Sequence, residues 1–384
     1  MSAGEGGDRI VAGITLRRQL FFAALLFTVA LLLAEVVMRG VFHLRGDLPP
    51  TPDESAVYEW KWAQARLTGG SARVEGPNLL TFDPDLGWRP SPGYRRDGVR
   101  INAQGLRADR VFAEGPQPDR RRLALLGDSF TFGDHVANDE TFAHFLESEE
   151  LPGWEVLNFA ANGYGTDQAL LAYELHGGEL AAEVVVMGFY VGDYERNVQR
   201  FKIYAKPVFV PGADGLRLAN HPVPAPEQLF EEYRSGRRTV GDVDRPFLWL
   251  SLAKAWRRLE QRWPDRGDPE WQVLSGLMRR FRDHVRDQGA TPVWMVIPYR
   301  DVVREPRSRY APIAEMCEQE ARELGMALLR LEPALRAEAA REPGAALYRP
   351  RAVGGHLSVR GHRVVARTLA EYLRGQGLVE AAGR

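Results

Sequence analysis

Two hydrophobic rhythms divide the chain. The first is one unbroken run, Leu20 to Met38, nineteen residues reading LFFAALLFTVALLLAEVVM with a single charge, Glu35, near its far end. As a helix it spans roughly 28 Å, about the thickness of a bilayer's hydrocarbon core. The second rhythm starts after residue 120, where apolar segments of strand length alternate with segments of helical period. Strands are expected at Leu123–Leu126, Glu155–Phe159, Val184–Tyr190, Pro292–Ile297 and Ala327–Leu331. Helices are expected at Thr141–Glu149, Thr166–Leu175, Trp271–Gln288, Ile313–Leu324 and Val359–Arg374. Such alternation predicts a parallel sheet covered on both faces, a three-layer α/β/α domain whose ligand site lies at the carboxyl ends of the strands.

Basic residues before the first run also suit a cleaved signal peptide, but no small-x-small cleavage site follows and the run is long for a signal sequence. Residues 1–45 therefore read as a cytoplasmic tail and a single-pass transmembrane anchor. Arg9, Arg17 and Arg18 precede the run, and Arg39 and Arg45 follow it. The slight asymmetry places the N-terminus in the cytoplasm and the large domain outside it. Residues 46–111 form a linker (Gly46 to Ser55), a short helix near the membrane (Val57 to Leu67) and a turn-rich lead-in from Phe82 to Val111. Residues 112–384 hold the α/β domain, interrupted at about 200–268 by a stretch too long for one crossover. That insertion carries a hairpin at Pro207–Leu218, a polar stretch Glu227–Asp244 and an amphipathic helix Phe247–Trp263, and is expected to act as a lid or a partner surface.

Composition removes several classes of function. Fifty Lys and Arg balance 51 Asp and Glu in 384 residues, so no basic excess points to nucleic acid. The lone Cys317 excludes an internal disulfide framework and a cysteine-based metal cluster. His176, His221 and His284 show no metal-ligand spacing, and no cofactor motif, neither Gly-x-Gly-x-x-Gly nor a P-loop, follows the first strand, so neither metal nor cofactor is expected.

The candidate chemistry starts in Leu123–Phe132, LALLGDSFTF. The apolar strand ends abruptly at Gly127-Asp128-Ser129, where glycine allows a sharp turn and a serine opening a helix has free N–H groups and the positive dipole end beside it. Ser129 is the candidate nucleophile; an ordinary turn with Ser129 as helix N-cap is the plainer reading of those three residues alone. Two further stretches resolve the choice. Gly127-Asp128-Ser129-Phe130-Thr131-Phe132-Gly133, Asn158 to Thr166 (NFAANGYGT) and His356-Leu357-Ser358 with Gly361-His362 resemble, in order, the first, second and fifth blocks of the SGNH (GDSL-like) hydrolases. The resemblance implies a flavodoxin-like parallel five-stranded sheet, Ser129 as nucleophile, His356 as general base, and an oxyanion hole built from the N–H groups of Ser129 and Gly163.

Two positions depart from the family. Where its third block carries an oxyanion-binding asparagine, this chain reads Val191-Gly192-Asp193-Tyr194, leaving Asp193 in place of the amide or Asn197, just downstream, as its substitute. The aspartate that orients the histidine in the fifth block is also absent; Val353 and Gly354 stand there, and Asp193 is considered as a replacement. Plainer roles are open to both: Asp193 as a helix cap, Asn197 as an exposed residue. His135, on the loop after the nucleophile, is a substrate contact or a surface histidine, and Trp249 and Trp256 are candidates for sugar or lipid contact or simple packing.

These residues lead to a membrane-anchored serine hydrolase, an esterase or O-acyltransferase acting on O-acyl esters of cell-envelope glycan or lipid. The alternative is a catalytically degenerate SGNH-like domain that binds envelope glycan or scaffolds a partner.

Overall fold

The computed structural model describes residues 16–45, 53–70, 74, 77–115, 118, 120–213, 215–239, 246–259, 263–305, 308, 310–343, 346–350, 352 and 355–380. Arg9, most of the expected linker at Gly46–Ser55, Val353 and Gly354 lie outside the described residues. The described chain groups into two compact units, one drawn from Met1–Asp53 with Thr239–Glu260, the other from Glu54–Arg238 with Gln261–Arg384.

The larger unit is built on five parallel strands: β1 (Arg121–Gly127), β2 (Trp154–Asn158), β3 (Val184–Tyr190), β4 (Thr291–Ile297) and β5 (Ala327–Arg330). Their order across the sheet is β2-β1-β3-β4-β5, all parallel. The interiors of β1 and β3 are buried without alternation, as apolar runs covered from both sides must be. Phe142–Phe145 and Val359–Gly375 cover one face, while Thr166–His176, Pro269–Asp287 and Ala311–Glu323 cover the other. Strand order reverses between β1 and β3, so the connections leaving these two strands diverge and open a crevice at their carboxyl ends. Ser129 sits at that crevice, two residues past β1.

Register shapes the crevice. Gly127 of β1 lies opposite Gly188 of β3, and a Cβ on either would collide with Thr131 Oγ1. The paired glycines thus let the short helix Ser129–Phe132 settle directly on the strand ends.

The expected strands stand within two residues of their predicted bounds, with differences among the helices. Thr141–Glu149 is helical only over Phe142–Phe145 and widens into a π-turn at Leu146–Glu150, closed by the Leu151 N–H on the Leu146 carbonyl at 2.7 Å. Pro226–Arg234 and Glu332–Arg341 are helices that the hydrophobic pattern alone did not mark.

The lead-in braces the site from outside the sheet. Its hairpin, Leu80–Asp83 with Gly87–Pro90, buries Trp88 completely. Trp88 Nε1 donates to the Asn162 carbonyl at 2.9 Å, the Tyr164 hydroxyl donates to the Trp88 carbonyl at 2.8 Å, and Gln168 Nε2 donates to the Leu86 carbonyl at 2.8 Å. These bonds grip both sides of Gly163. Helix Glu54–Leu67 belongs to the same unit, with Trp62 packed among Phe201, Tyr204, Phe230 and Tyr233.

The insertion is not one lid. Its hairpin, Val208–Gly212 with Gly215–Ala219, lies along Pro269–Asp287, where Leu216 fills the space beside Gly276. The hairpin tip and the helices border a 650 Å³ cavity lined by Glu174, Arg280, Asp283 and Asp287. Those residues sit near the carboxyl ends of helices that run back toward the amino ends of the strands, so the hairpin points away from Ser129. The stretch before it, Phe201 to Lys206, reaches the crevice, where Ile203 lies beside Gly163. Helix Phe247–Leu259 belongs to the smaller unit, with helix Leu16–Arg45, which is long and apolar enough to cross a membrane.

Candidate active site

Ser129 opens its helix, but the cap is Asp128, whose Oδ1 accepts the Phe130 N–H at 2.9 Å. With Asp128 as the cap, the Ser129 hydroxyl is not engaged in capping, and Oγ lies 2.8 Å from His356 Nε2 and 3.5 Å from Asp128 Oδ2. The residues Ser129 and His356, 227 positions apart, meet because both stand at the carboxyl edge of the sheet. His356 is held by its own loop: an antiparallel bridge joins Tyr348 to Leu357, the Arg349 N–H donates to the His356 carbonyl at 2.7 Å, and Ser358 caps the last helix through the Gly361 N–H at 3.1 Å. Phe130 and His135 flank the imidazole, with ring centroids at 4.9 and 5.0 Å.

The environment favours the neutral form of His356. Burial pushes its pKa below the ordinary histidine value, the Asp134 carboxylate pulls it back up, and His135 and Arg196 push it further down. Asp134 Oδ2 is 3.9 Å from Nε2, the nitrogen that faces Ser129, so it bears on the imidazole by charge and does not orient its far side. His356 Nδ1 is buried and makes no hydrogen bond among the described residues.

Asp193 is not the substitute that holds His356. It is almost fully buried, and its Oδ1 accepts from Arg196 Nη1 at 2.6 Å. Nor does it cap a helix, since Gly192 occupies the N-cap and Asp193 is the first helical residue. Burial drives its pKa well above the carboxylate range; Arg196 opposes the shift, while Asp128 and Asp167 add to it. Asn197 is fully buried, not exposed; its Oδ1 accepts the Asp167 N–H at 3.4 Å and its Nδ2 has no partner among the described residues.

Arg196, which the sequence pattern did not single out, is the hub of the site. One nitrogen, Nη1, donates to Asp128 Oδ2 at 3.2 Å, to the Tyr164 carbonyl at 2.7 Å and to Asp193 Oδ1 at 2.6 Å. It thereby ties together the loops that follow β1, β2 and β3. Behind it, fully buried Lys206 donates to Asp167 Oδ2 at 2.5 Å and to the Arg196 carbonyl at 3.3 Å. Gly163 lies in this framework with φ +75°, and a Cβ there would come within 2.7 Å of Ile203 Cδ1. Both its backbone conformation and the close approach of Ile203 call for glycine. Arg107, also buried, donates to the carbonyls of Phe132 and Val136 at 2.8 and 2.6 Å and so shapes the loop carrying Asp134 and His135.

Among the described residues, Asp134, His135 and His356 bring ligand atoms within 4.8 Å of one another. The two imidazoles are stacked, with their planes 29° apart. His135 is exposed, as a surface histidine should be, yet its ring stacks on the imidazole of His356.

A three-layer α/β sheet of this order, with serine and histidine in contact at the switch point and glycine-rich turns beside them, is the arrangement of an SGNH-type hydrolase. The comparison with known families agrees: residues 125–364 match the GDSL-like lipase/acylhydrolase family, and the chain belongs to it. No curated protein matches the chain. Among solved structures it is similar to TesA (14% identity, 66% of this chain and 99% of that one covered, TM-score 0.38). It is also similar to a lipase/acylhydrolase from Enterococcus faecalis (13%, 67% and 96%, TM-score 0.36) and to the acetyl xylan esterase AlAXEase (12%, 65% and 98%, TM-score 0.37).

Proposed function

We propose that the protein is a serine ester hydrolase in which Ser129 attacks an acyl carbonyl and His356 accepts its proton. The 2.8 Å contact between Ser129 Oγ and His356 Nε2 carries this reading. As Oγ bonds to the carbonyl carbon, its proton passes to Nε2, and the N–H groups of Ser129 and Gly163 receive the oxyanion. The imidazolium then gives its proton to the departing alcohol. Water, deprotonated by the same nitrogen, cleaves the acyl-enzyme and releases the acid and free Ser129. Asp134, 3.9 Å from Nε2, stabilises the imidazolium formed in both halves.

Arg196 is a positioning residue in this scheme. By holding the Tyr164 carbonyl it fixes the turn that aims the Gly163 N–H, and by holding Asp128 it fixes the cap beside Ser129. Asp193 and Asn197 serve this framework, and the oxyanion is received by backbone donors.

The apolar helix supports a membrane-anchored enzyme, and the arginine asymmetry around it supports a cytoplasmic N-terminus with the catalytic unit outside. An anchored extracytoplasmic esterase meets O-acyl esters of envelope glycan or lipid, and transfer to a sugar hydroxyl in place of water is the related activity. The test is labelling of the full-length, detergent-solubilised protein with a fluorophosphonate, read by intact mass. One adduct is expected, absent in Ser129→Ala and strongly slowed in His356→Ala. His356 Nδ1, which has no hydrogen-bond partner among the described residues, favours the second reading, a degenerate SGNH-like domain that binds envelope glycan or scaffolds a partner; folded protein that takes no adduct and hydrolyses no acetyl ester would refute the enzyme and leave that reading.

A further inference from the structure

The smaller unit contains a contact that the hydrolase reading leaves unused. Glu35 is the one charge within the apolar run Leu20–Met38, and an isolated carboxylate at that depth is costly. It is not isolated: its oxygens accept the N–H groups of Phe247 and Leu248 at 2.8 and 2.9 Å, and Arg39 Nε donates to it at 2.6 Å. The first turn of helix Phe247–Leu259 is thus capped by a side chain from the anchor, 212 residues earlier in the chain. Phe247 adds a ring contact with Phe42 at 5.7 Å and lies 4.5 Å beneath the Arg39 guanidinium.

These contacts fix the level of the helix. Glu35 stands three residues before Met38, about 5 Å of helix rise from the end of the run, at the boundary between hydrocarbon and headgroups. The helix is two-faced at that level. Phe247 and Leu250 are buried, while Trp249, Leu252 and Trp256, spaced three and four apart, are 63%, 58% and 65% exposed. Indole rings combine an apolar body with an N–H donor and concentrate at the membrane interface, and an apolar stripe on a short helix beside a span lies in that plane.

We propose that helix Phe247–Leu259 is an interfacial membrane helix whose Trp249, Leu252 and Trp256 face is covered by lipid on the same side as the end of the span that carries Glu35. The proposal rests on the anchored reading of helix Leu16–Arg45. It gives the exposed tryptophans an occupant, the headgroup and upper acyl region of the bilayer, and assigns this part of the insertion to the membrane and not to a lid.

The experiment uses full-length protein in nanodiscs of phosphatidylcholine and phosphatidylglycerol, in a Cys317→Ser background, with an environment-sensitive dye on one introduced cysteine. Leu26→Cys reports the middle of the span and Leu252→Cys the exposed stripe. Lipids carrying a nitroxide near the headgroup should quench the Leu252 dye by at least half. Lipids carrying it deep in the chain should quench the Leu26 dye most. Quenching at Leu26 with a water-like, unquenched Leu252 dye overturns the interfacial helix and leaves the anchor intact. Absence of quenching at both sites overturns the anchored reading itself and the proposal with it.

Discussion

Replacing Arg196 by methionine separates a framework that positions catalytic groups from one that merely holds the fold. The substitution keeps an unbranched apolar stem, ends short of the guanidinium position and removes all three bonds made by Nη1. Asp128 and Asp193, both essentially inaccessible to solvent, then lose their shared cation. Removing one member of a buried ion pair costs about 3–5 kcal/mol. Proton uptake by Asp193, whose pKa burial already raises, relieves part of that. The unit still folds, with Tm lowered by roughly 5 °C. Catalysis should suffer more, because the Tyr164 carbonyl is released and the adjacent Gly163 N–H loses its aim. A lost oxyanion donor costs about 10²–10³ in kcat, so a fall of about 100-fold is expected, with KM for p-nitrophenyl acetate within about threefold. Arg196→Lys keeps the charge, but its ammonium ends one bond short of the Nη1 position on which the three acceptors converge. It should recover most of the Tm and little of the kcat. If Arg196→Met lowers Tm yet leaves kcat within about threefold, the residue only stabilises the fold and the positioning argument is wrong.

Three further expectations follow from the same geometry. Because His356 sits below the ordinary histidine pKa and acts unprotonated, the acid limb of kcat/KM lies below pH 6.5; Asp134→Asn should move it lower and His135→Asn higher, as pH–rate profiles would record, and no movement in either variant contradicts the assigned electrostatics. Gly163→Ala forces a Cβ to within 2.7 Å of Ile203 Cδ1 at a φ of +75° and should lower kcat at least about tenfold; Ile203→Ala should recover part of that loss in the double variant. His362, buried with Nδ1 accepting the Phe142 N–H at 3.2 Å, has its pKa pushed down to about 3. The folded chain refuses a proton that the unfolded chain takes, so this contribution is complete above about pH 6.5 and is lost toward pH 3 at about 1.4 kcal/mol per unit. His362→Gln should flatten that slope in urea titrations between pH 6.5 and 4.

What the sequence made legible was whatever local order encodes. β1 and β3 could be read as strands because burial on both faces demands uninterrupted apolar runs, and Ser129 and His356 drew attention because the stretches around them resemble the first and fifth blocks of the SGNH hydrolases. Charge pairing across the fold was not legible. Arg196, Asp128, Lys206 and Asp167 are spread over 79 positions and look like solvent-facing charges until the sheet buries them together. Asp193 drew attention as a misplaced oxyanion residue, and only its 2.6 Å contact with Arg196 reveals its partner. Helix Glu332–Arg341 did carry signals, an early proline and repeated alanine, but lacked the apolar stripe on which the pattern depends.

The Glu35 cap also decides how this protein can be shortened. A fragment beginning at Glu54 retains helix Phe247–Leu259 but loses the carboxylate on its first turn and the aromatic and cationic partners of Phe247. Phe247 and Leu250 then join Trp249, Leu252 and Trp256 as wetted surface, leaving a helix apolar on two sides and inclined to aggregate. Residues 239–260 and the N-terminal helix form one removable piece, and a soluble enzyme calls for excising both and closing the gap with a polar linker.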